Sequence, residues 1–357
     1  MSVTIKDVAR VAEVSVASVS RALNDQPGSM TAATRKRILA AVKKLRYTPH
    51  SAARSLITRR TQTIGALLPD LHGEFFSELI RGIDLAARAR GLHLLVSSSH
   101  GDASEAAAAL RAMQGRVDGL LLMSPHLDAS LLRRNLHGDL PMVLMNTALK
   151  RARCAVLNID NYGGAYAMVR HLLEAGHSNV TFIAGPAGNF DAQQRELGYR
   201  AAMAKYAPHA PLDVVAGDFN EESGYRAGQQ LLARKPRPDA VFAANDMMAV
   251  GCLYAFKEAG VDVPREIALA GFDDIPIARY VTPPLSTVRV RIVDLGRSAL
   301  EQLAAMLEES RPDAASAHTL DCEIVTRETC GAARQPGAAK GKVFGSGNRS
   351  SGTGGKS

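Results

Sequence analysis

Hydrophobic positions along the chain follow two regimes that change over near residue 62. In the first, apolar residues recur at helical spacing. Ile5, Val8, Ala9 and Ala12 share one face, and Thr4 followed three residues later by Asp7 reads as a capping box that starts this helix. A break at Glu13-Val14 precedes Ser15, a good N-cap, and a second helix from Val16 to about Leu23 made mostly of small residues plus Arg21. Turn formers at Asn24-Asp25-Gln26-Pro27-Gly28 stop it. A third helix from about Thr31 to Leu45 carries Ile38, Ala41, Val42 and Leu45 on one face, enough to close a small three-helix core, and Tyr47-Thr48-Pro49 ends it. Two short helices joined by a tight turn, the second slim enough to enter a major groove, form the helix-turn-helix pattern. The following HSAARSLI is too short for a stable free helix and is suited to fold on docking.

From Ile64 the pattern becomes short continuous apolar runs alternating with amphipathic helices: IGALL, LHLLVSS, GLLLM, MVLMN, VLNID, VTFIAG, LDVVAG, AVFAAN and IALAGF. Such runs predict parallel strands covered on both faces, an α/β design. There are too many for one sheet of ordinary width, which points to two similar lobes. A helix at roughly Ile292 to Glu309 and the strand-like HTLDCEIV complete the body. Beyond Gly331 the chain is Gly, Ser, Ala and Lys with few apolar residues, a composition that predicts disorder.

Charge sharpens this division. The chain has 357 residues and a net charge of +8. Residues 1–60 hold twelve Lys/Arg against three Asp/Glu, and residues 331–357 hold five basic and no acidic residues, so the stretch between is acidic at −6. A basic front module on an acidic body is the footprint of a protein that neutralises phosphates. Arg35, Lys36, Arg37, Lys43, Lys44 and Arg46 surround the apolar face of the third helix and are placed to do so.

Other chemistries find little support. Cys154, Cys252, Cys322 and Cys330 lack C-x-x-C spacing and read as buried thiols of a reducing compartment. With no secretory pattern at the start and no apolar run long enough for a bilayer, a cytoplasmic protein without membrane partners is expected. GTGGKS at the end resembles a phosphate loop, but Ser350 stands where its first Gly is required. SSSHGD at 97–102 is explained by a polar strand exit, since catalytic triads are assembled from separated segments. Histidines lack metal spacing, and no dinucleotide fingerprint follows a strand, so neither an enzyme nor a bound cofactor is expected.

Many motifs occur in order: TIKDVA, VSVASVSRALN, YTPHSAARSL, IGALLPD, VDGLLL, PMVLMN, IDNYGGA, EAGHSNVTFIAGP, AANDMMAVG and LAGFDDIPIARYVTPPLSTV. Over nearly all of residues 3–330 they resemble the lactose/galactose-repressor family of bacterial transcription regulators. The resemblance implies a helix-turn-helix head (1–48), a hinge helix or linker (49–61) and a two-lobed core like the periplasmic sugar-binding proteins (62–330), followed by the basic tail (331–357). It implies a homodimer on partly palindromic double-stranded operator DNA, with a small-molecule effector in the inter-lobe cleft, a sugar or sugar derivative.

Residue by residue, the resemblance assigns base reading to Val16, Ala17 and Arg21, and places Ser15 and Ser20 near phosphates; Thr4 and Ala53 belong to the same DNA-contacting set. Arg21 can donate two hydrogen bonds to guanine, whereas Val16 and Ala17 can only meet thymine methyls or leave room. For Ala17, plain helix propensity is an equal reading. Leu56 takes the place of a wedge entering the minor groove, against the alternative that it packs on the body; small Ala52 and Ala53 would let two such helices approach. Arg195, Asn245, Asp273 and Phe219 fall on positions that hold the effector. Arg donates, Asp accepts, Asn does both and Phe offers an apolar face, which is an inventory for neighbouring hydroxyls. Phe75 and Phe76 are candidates for the opposite wall or for core packing, Asp160 and Asn161 read as helix caps, and Asp246 and Asp274 as supports behind the ligand set. A solute-binding protein of transport or chemosensing is the rival reading that the body alone would suggest.

Overall fold

The computed structural model describes residues 3–23, 30–47, 60–124, 128–136, 140–149, 154–308 and 317–331. The first regime folds as α1 (Ile5–Val11), α2 (Val16–Leu23) and α3 (Ala32–Leu45). Val8, Ala12, Val19 and Ile38 are wholly buried where the three helices meet. Glu13 takes a left-handed φ of 50° to turn the chain from α1 into α2, and Arg46 does the same (φ 48°) at the end of α3. α1 starts with the expected capping box at Thr4 and Asp7, and the Asp7 carboxylate accepts from the Thr4 hydroxyl (2.8 Å) as well as from the Thr4 amide (3.0 Å). The hydroxyl is thus a donor, because the carboxylate is a stronger acceptor than the hydroxyl oxygen is. The predicted turn at 24–28 and the linker residues Ala52, Ala53 and Leu56 lie outside the described residues, as does the tail beyond Gly331.

The second regime builds two six-stranded sheets. The strands are β1 (Thr63–Leu68), β2 (His93–Ser98), β3 (Gly119–Leu122), β4 (Met142–Met145), β5 (Cys154–Ile159), β6 (Val180–Ile183), β7 (Asp213–Val215), β8 (Ala240–Ala243), β9 (Ala268–Asp273), β10 (Ser286–Arg289), β11 (Ala317–Leu320) and β12 (Glu323–Val325). Each of the nine apolar runs becomes a strand. The two orders, β2-β1-β3-β4-β5-β11 and β7-β6-β8-β9-β10-β12, repeat one winding. All pairings are parallel except β10 with β12, an antiparallel edge. Apolar runs such as β3, β4, β6 and β8 are buried at every position, as strands covered on both faces must be.

HTLDCEIV does not form one strand. It divides into β11 and β12, which join different sheets, because Asp321-Cys322 carries the chain from one lobe to the other. It is one of three crossings. The others lie between β5 and α7 (Asn161–Glu174) and between β10 and α11 (Ile292–Glu308). The remaining helices are α4 (Glu74–Ala89), α5 (Ala103–Met113), α6 (Ala129–Asn135), α8 (Phe190–Tyr206), α9 (Glu221–Leu232) and α10 (Asp246–Glu258). In the first lobe α11 packs on α4 and closes the sheet from behind; in the second, α7 packs on α8 and α9 on α10.

The α4–α11 contact is made at glycine. A Cβ on Gly82 would stand 2.2 Å from the Val293 carbonyl oxygen, and one on Gly296 would stand 2.4 Å from that of Leu79. Both obstacles are backbone, so neither can rotate aside. Gly82→Ala gains about 1 kcal/mol of helix propensity but forces the helices apart, at about 1–3 kcal/mol. The expected result in scanning calorimetry is a core transition lowered by a few degrees, and a rise in Tm would contradict the close packing.

Candidate ligand cleft and nucleic-acid interface

Both sheets point the carboxyl ends of their strands at the same space, where open α/β sheets of this winding bind ligands. A cavity of about 660 Å³ lies there. Its walls are Pro69 and Asp70 after β1, Met123 and Ser124 after β3 and Asn146 after β4 on one side, with Phe219, Asn245 and Asp273 at the ends of β7, β8 and β9 on the other. All six side chains predicted for the effector line it: Phe75, Phe76, Arg195, Phe219, Asn245 and Asp273. Phe75 and Phe76 occupy the first turn of α4, which starts at Gly73 with a φ of 89° that favours glycine. Their rings meet edge to face at 5.4 Å, so core packing and cavity wall are the same contact.

Arg195 organises the floor. Its side chain is buried, with Nε donating to Asn161 Oδ1 (2.8 Å), Nη1 to the Ala244 carbonyl (2.5 Å) and Nη2 lying 3.0 Å from Asp273 Oδ1. The guanidinium stacks 3.8 Å from the Phe272 ring centroid and 5.7 Å from that of Phe219. Asp191, one turn earlier on α8, faces the same charge. Its Oδ1 accepts from Asn161 Nδ2 (2.7 Å) and its Oδ2 from Asn146 Nδ2 (2.9 Å), the latter bond joining the two lobes. Burial pushes the Asp191 and Asp273 carboxyls up to about 6, with Arg195 opposing the rise at both.

Asn245 caps α10, its Oδ1 accepting from Met248 N (3.0 Å) while Nδ2 donates to the Phe219 carbonyl (2.9 Å). Its amide therefore holds the Phe219 turn, and is less free for ligand than its position alone suggests. Asp160 is a helix cap, accepting from Gly163 N. Asn161 is more than a cap, since it bridges Arg195 and Asp191. Asp246 stands behind the cleft, accepting from the Thr287 hydroxyl (2.5 Å) and Ile275 N (3.0 Å); burial first, and Asp273 next, raise its carboxyl well above the usual range. Asp274 faces away, pairing with Arg289 at 2.6 Å, Arg327 at 2.5 Å and Arg279 at 3.6 Å.

Sequence reasoning did not single out Asn146 or Asp191. The available signals were the i, i+4 spacing of Asp191 and Arg195 on one helix and the polar residue directly after the MVLM run. Backbone strain marks the same place: Asn146 (φ 50°), Phe219 (φ 58°) and Asp273 (φ 113°) are non-glycine residues at positive φ, a conformation kept where surrounding structure over-determines it.

In the head, Val19 and Ala22 are buried, which leaves Ser15, Val16, Ala17 and Arg21 exposed on the outer side of α2. Ser15 caps the helix, accepting from Ser18 N (3.1 Å), and Ser20 is half-buried on the same helix. Arg21 lies along the exposed face, with Nε donating to the Ala17 carbonyl (3.3 Å). Thr4 is exposed at the start of α1, and its amide and hydroxyl hold the Asp7 carboxyl below the ordinary range. On α3, Lys36, Arg37, Lys43 and Lys44 are exposed. No helix among the described residues is long and apolar enough to cross a membrane.

A helix-turn-helix head in one chain with a two-lobed, cleft-bearing core defines a class: a binding module joined to a small-molecule receptor. The comparisons make this specific. Residues 4–50 match the model for bacterial regulatory proteins of the lacI family, and residues 169–330 match the periplasmic binding protein-like domain. The HTH-type transcriptional repressor PurR of Erwinia tasmaniensis is 36% identical over 314 residues, covering 87% of this chain and 92% of that protein. The ribose operon repressor of Escherichia coli K12 is 37% identical over 305 residues, covering 84% and 92%. The crystal structure of the lac repressor dimer bound to operator and the anti-inducer ONPF superimposes with a TM-score of 0.83 at 26% identity, covering 92% of this chain and 99% of that one. The chain belongs to the lacI family of bacterial regulatory proteins.

The two raised carboxyls have a consequence for stability. An unfolded Asp titrates near 4, so between about pH 4 and 6 the folded core holds protons that the unfolded chain has released. Their contribution is fully present below about pH 4 and is lost as pH rises through about 6. Asp191→Asn should therefore flatten part of the fall in core Tm across that window; a wild-type-minus-variant difference independent of pH would contradict the assignment.

Proposed function

We propose that this chain is a transcriptional repressor that binds double-stranded operator DNA as a homodimer and whose operator affinity is set by a sugar held between the lobes of its core. The head (1–48) and linker (49–61) carry DNA contact through Thr4, Ser15, Val16, Ala17, Ser20 and Arg21, with Ala53 and Leu56 of the linker outside the described residues. The core (62–330) carries dimerisation and the effector, held by Phe75, Phe76, Arg195, Phe219, Asn245 and Asp273. The tail (331–357) has no assigned part. The protein works in the cytoplasm and returns its ligand unchanged.

The observation that carries this reading is the convergence of Arg195, Asp273 and four phenylalanines on one cavity between lobes, in a chain whose head exposes Arg21 and a small-residue helix face. A sugar offers alternating hydroxyls to the charged groups and an apolar ring face to the aromatics. The ribose operon repressor among the relatives supports that choice of ligand. Ligand can act only through a difference in its affinity for the two lobe arrangements, typically ~1–3 kcal/mol of coupling.

The test is fluorescence anisotropy of the full chain on selected genomic fragments, with and without free sugars. Preference for a fragment over random duplex, altered by a sugar, is expected; no preference under any condition would reject the reading. Arg21→Ala should cost about 1–3 kcal/mol of discrimination at one base position, and unchanged selectivity on an operator panel would reject its role. Asp273→Ala should abolish the response to sugar, and a normal response would remove it from the site.

A further inference from the structure

Among the described residues, carboxylate and amide oxygens on the cleft wall keep unused acceptor capacity. Asn146 lines the cavity and is 7% exposed; its Oδ1 is buried without a partner, while its Nδ2 donates to Asp191. A flipped amide would lose that bond, so the orientation is held. Each Asp191 oxygen takes one amide donor and keeps a lone pair, and Asp273 brings a second carboxylate. Part of the donor capacity on this floor is already committed. Arg195 gives Nε to Asn161 and Nη1 to the Ala244 carbonyl and holds Nη2 beside the Asp273 carboxylate, while one Asn161 amide hydrogen goes to Asp191 and one of Asn245 to the Phe219 carbonyl.

Charge points the same way. Among the described residues, Asp70, Asp191, Asp218 and Asp273 line the cavity against the guanidinium of Arg195, itself paired with Asp273. His72 and His100 also line the cavity, and His72 lies 3.8 Å from Glu221, a further negative group. A phosphate or carboxylate brings acceptors and negative charge to walls that already present both, while each sugar hydroxyl brings a donor.

We propose that the cleft admits donor-rich ligands without negative charge, free sugars rather than their phosphate esters or acids, and that Asp191 is the residue that sets this preference. Asp191 binds ligand through its remaining lone pairs, and its bond from Asn146 ties this acceptor to the other lobe. This inference rests on the effector reading of the cleft and narrows its ligand class.

The test is titration calorimetry of the full chain against free pentoses and hexoses, their terminal phosphate esters and the corresponding aldonic acids, repeated with Asp191→Asn after circular dichroism has confirmed its fold. At least one free sugar is expected to bind, with its ester and acid more than tenfold weaker. The isosteric variant should narrow that gap at least tenfold. An ester or acid within tenfold of its parent, competing with it for the cleft, overturns the charge preference and leaves the effector reading standing. A gap narrowed less than tenfold overturns the role of Asp191. Failure of every compound to bind overturns the effector reading and this inference together.

Discussion

A buried guanidinium is the constraint around which the core is arranged. Arg195 sits between lobes with its charge set against Asp273 and its N–H groups against Asn161 and the Ala244 carbonyl. A charge removed from water is tolerated only when paired and hydrogen-bonded. Meeting that requirement fixes the relative positions of α8, the ends of β8 and β9 and the β5–α7 crossing. The same demand explains the unusual backbone nearby: Asp273 holds a φ of 113° because the carboxylate must reach the guanidinium from the last position of its strand. Replacing the pair by apolar residues would relieve desolvation but would leave the cleft without groups able to distinguish one polar ligand from another.

The lobes have the same winding, and the chain passes between them three times, at Asp160, after Arg289 and at Asp321-Cys322. Each lobe can keep its core while the crossings take up rotation, since helix pairs such as α4–α11 lie within one lobe and are locked by backbone contact at Gly82 and Gly296. Polar contacts join the lobes, as in Asn146 with Asp191 and the Ile277 amide with Glu74 (2.7 Å). Such contacts exchange readily with ligand or water, which suits a cleft whose closure is to be decided by small differences in free energy.

The head is a separate solution to a smaller problem. Its core is a handful of residues, chiefly Val8, Val19 and Ile38, so most of its surface is available for charge. That surface is basic, whereas the cleft is acidic. One chain thus presents opposite potentials to two partners, and neither partner suits the other's site.

Local pattern alone determined a good deal. The nine apolar runs became strands, because a strand buried on both faces has to be apolar throughout, and the amphipathic faces of α1 and α3 named their own core. Ordered motifs, read by resemblance, named four side chains, and the place after the first body strand suggested Phe75 and Phe76; all six line one cavity. Tertiary structure decided the rest. HTLDCEIV reads as one strand until two sheets compete for it, and STVR, too polar to be recognised as a buried run, becomes β10 between β9 and β12. Asn146 meets Asp191 across 45 positions and Asn161 meets Arg195 across 34, so no spacing rule reports either contact. A side chain's burial, partner and proton affinity belong to what folding brings beside it, and a linear pattern carries only its own neighbours.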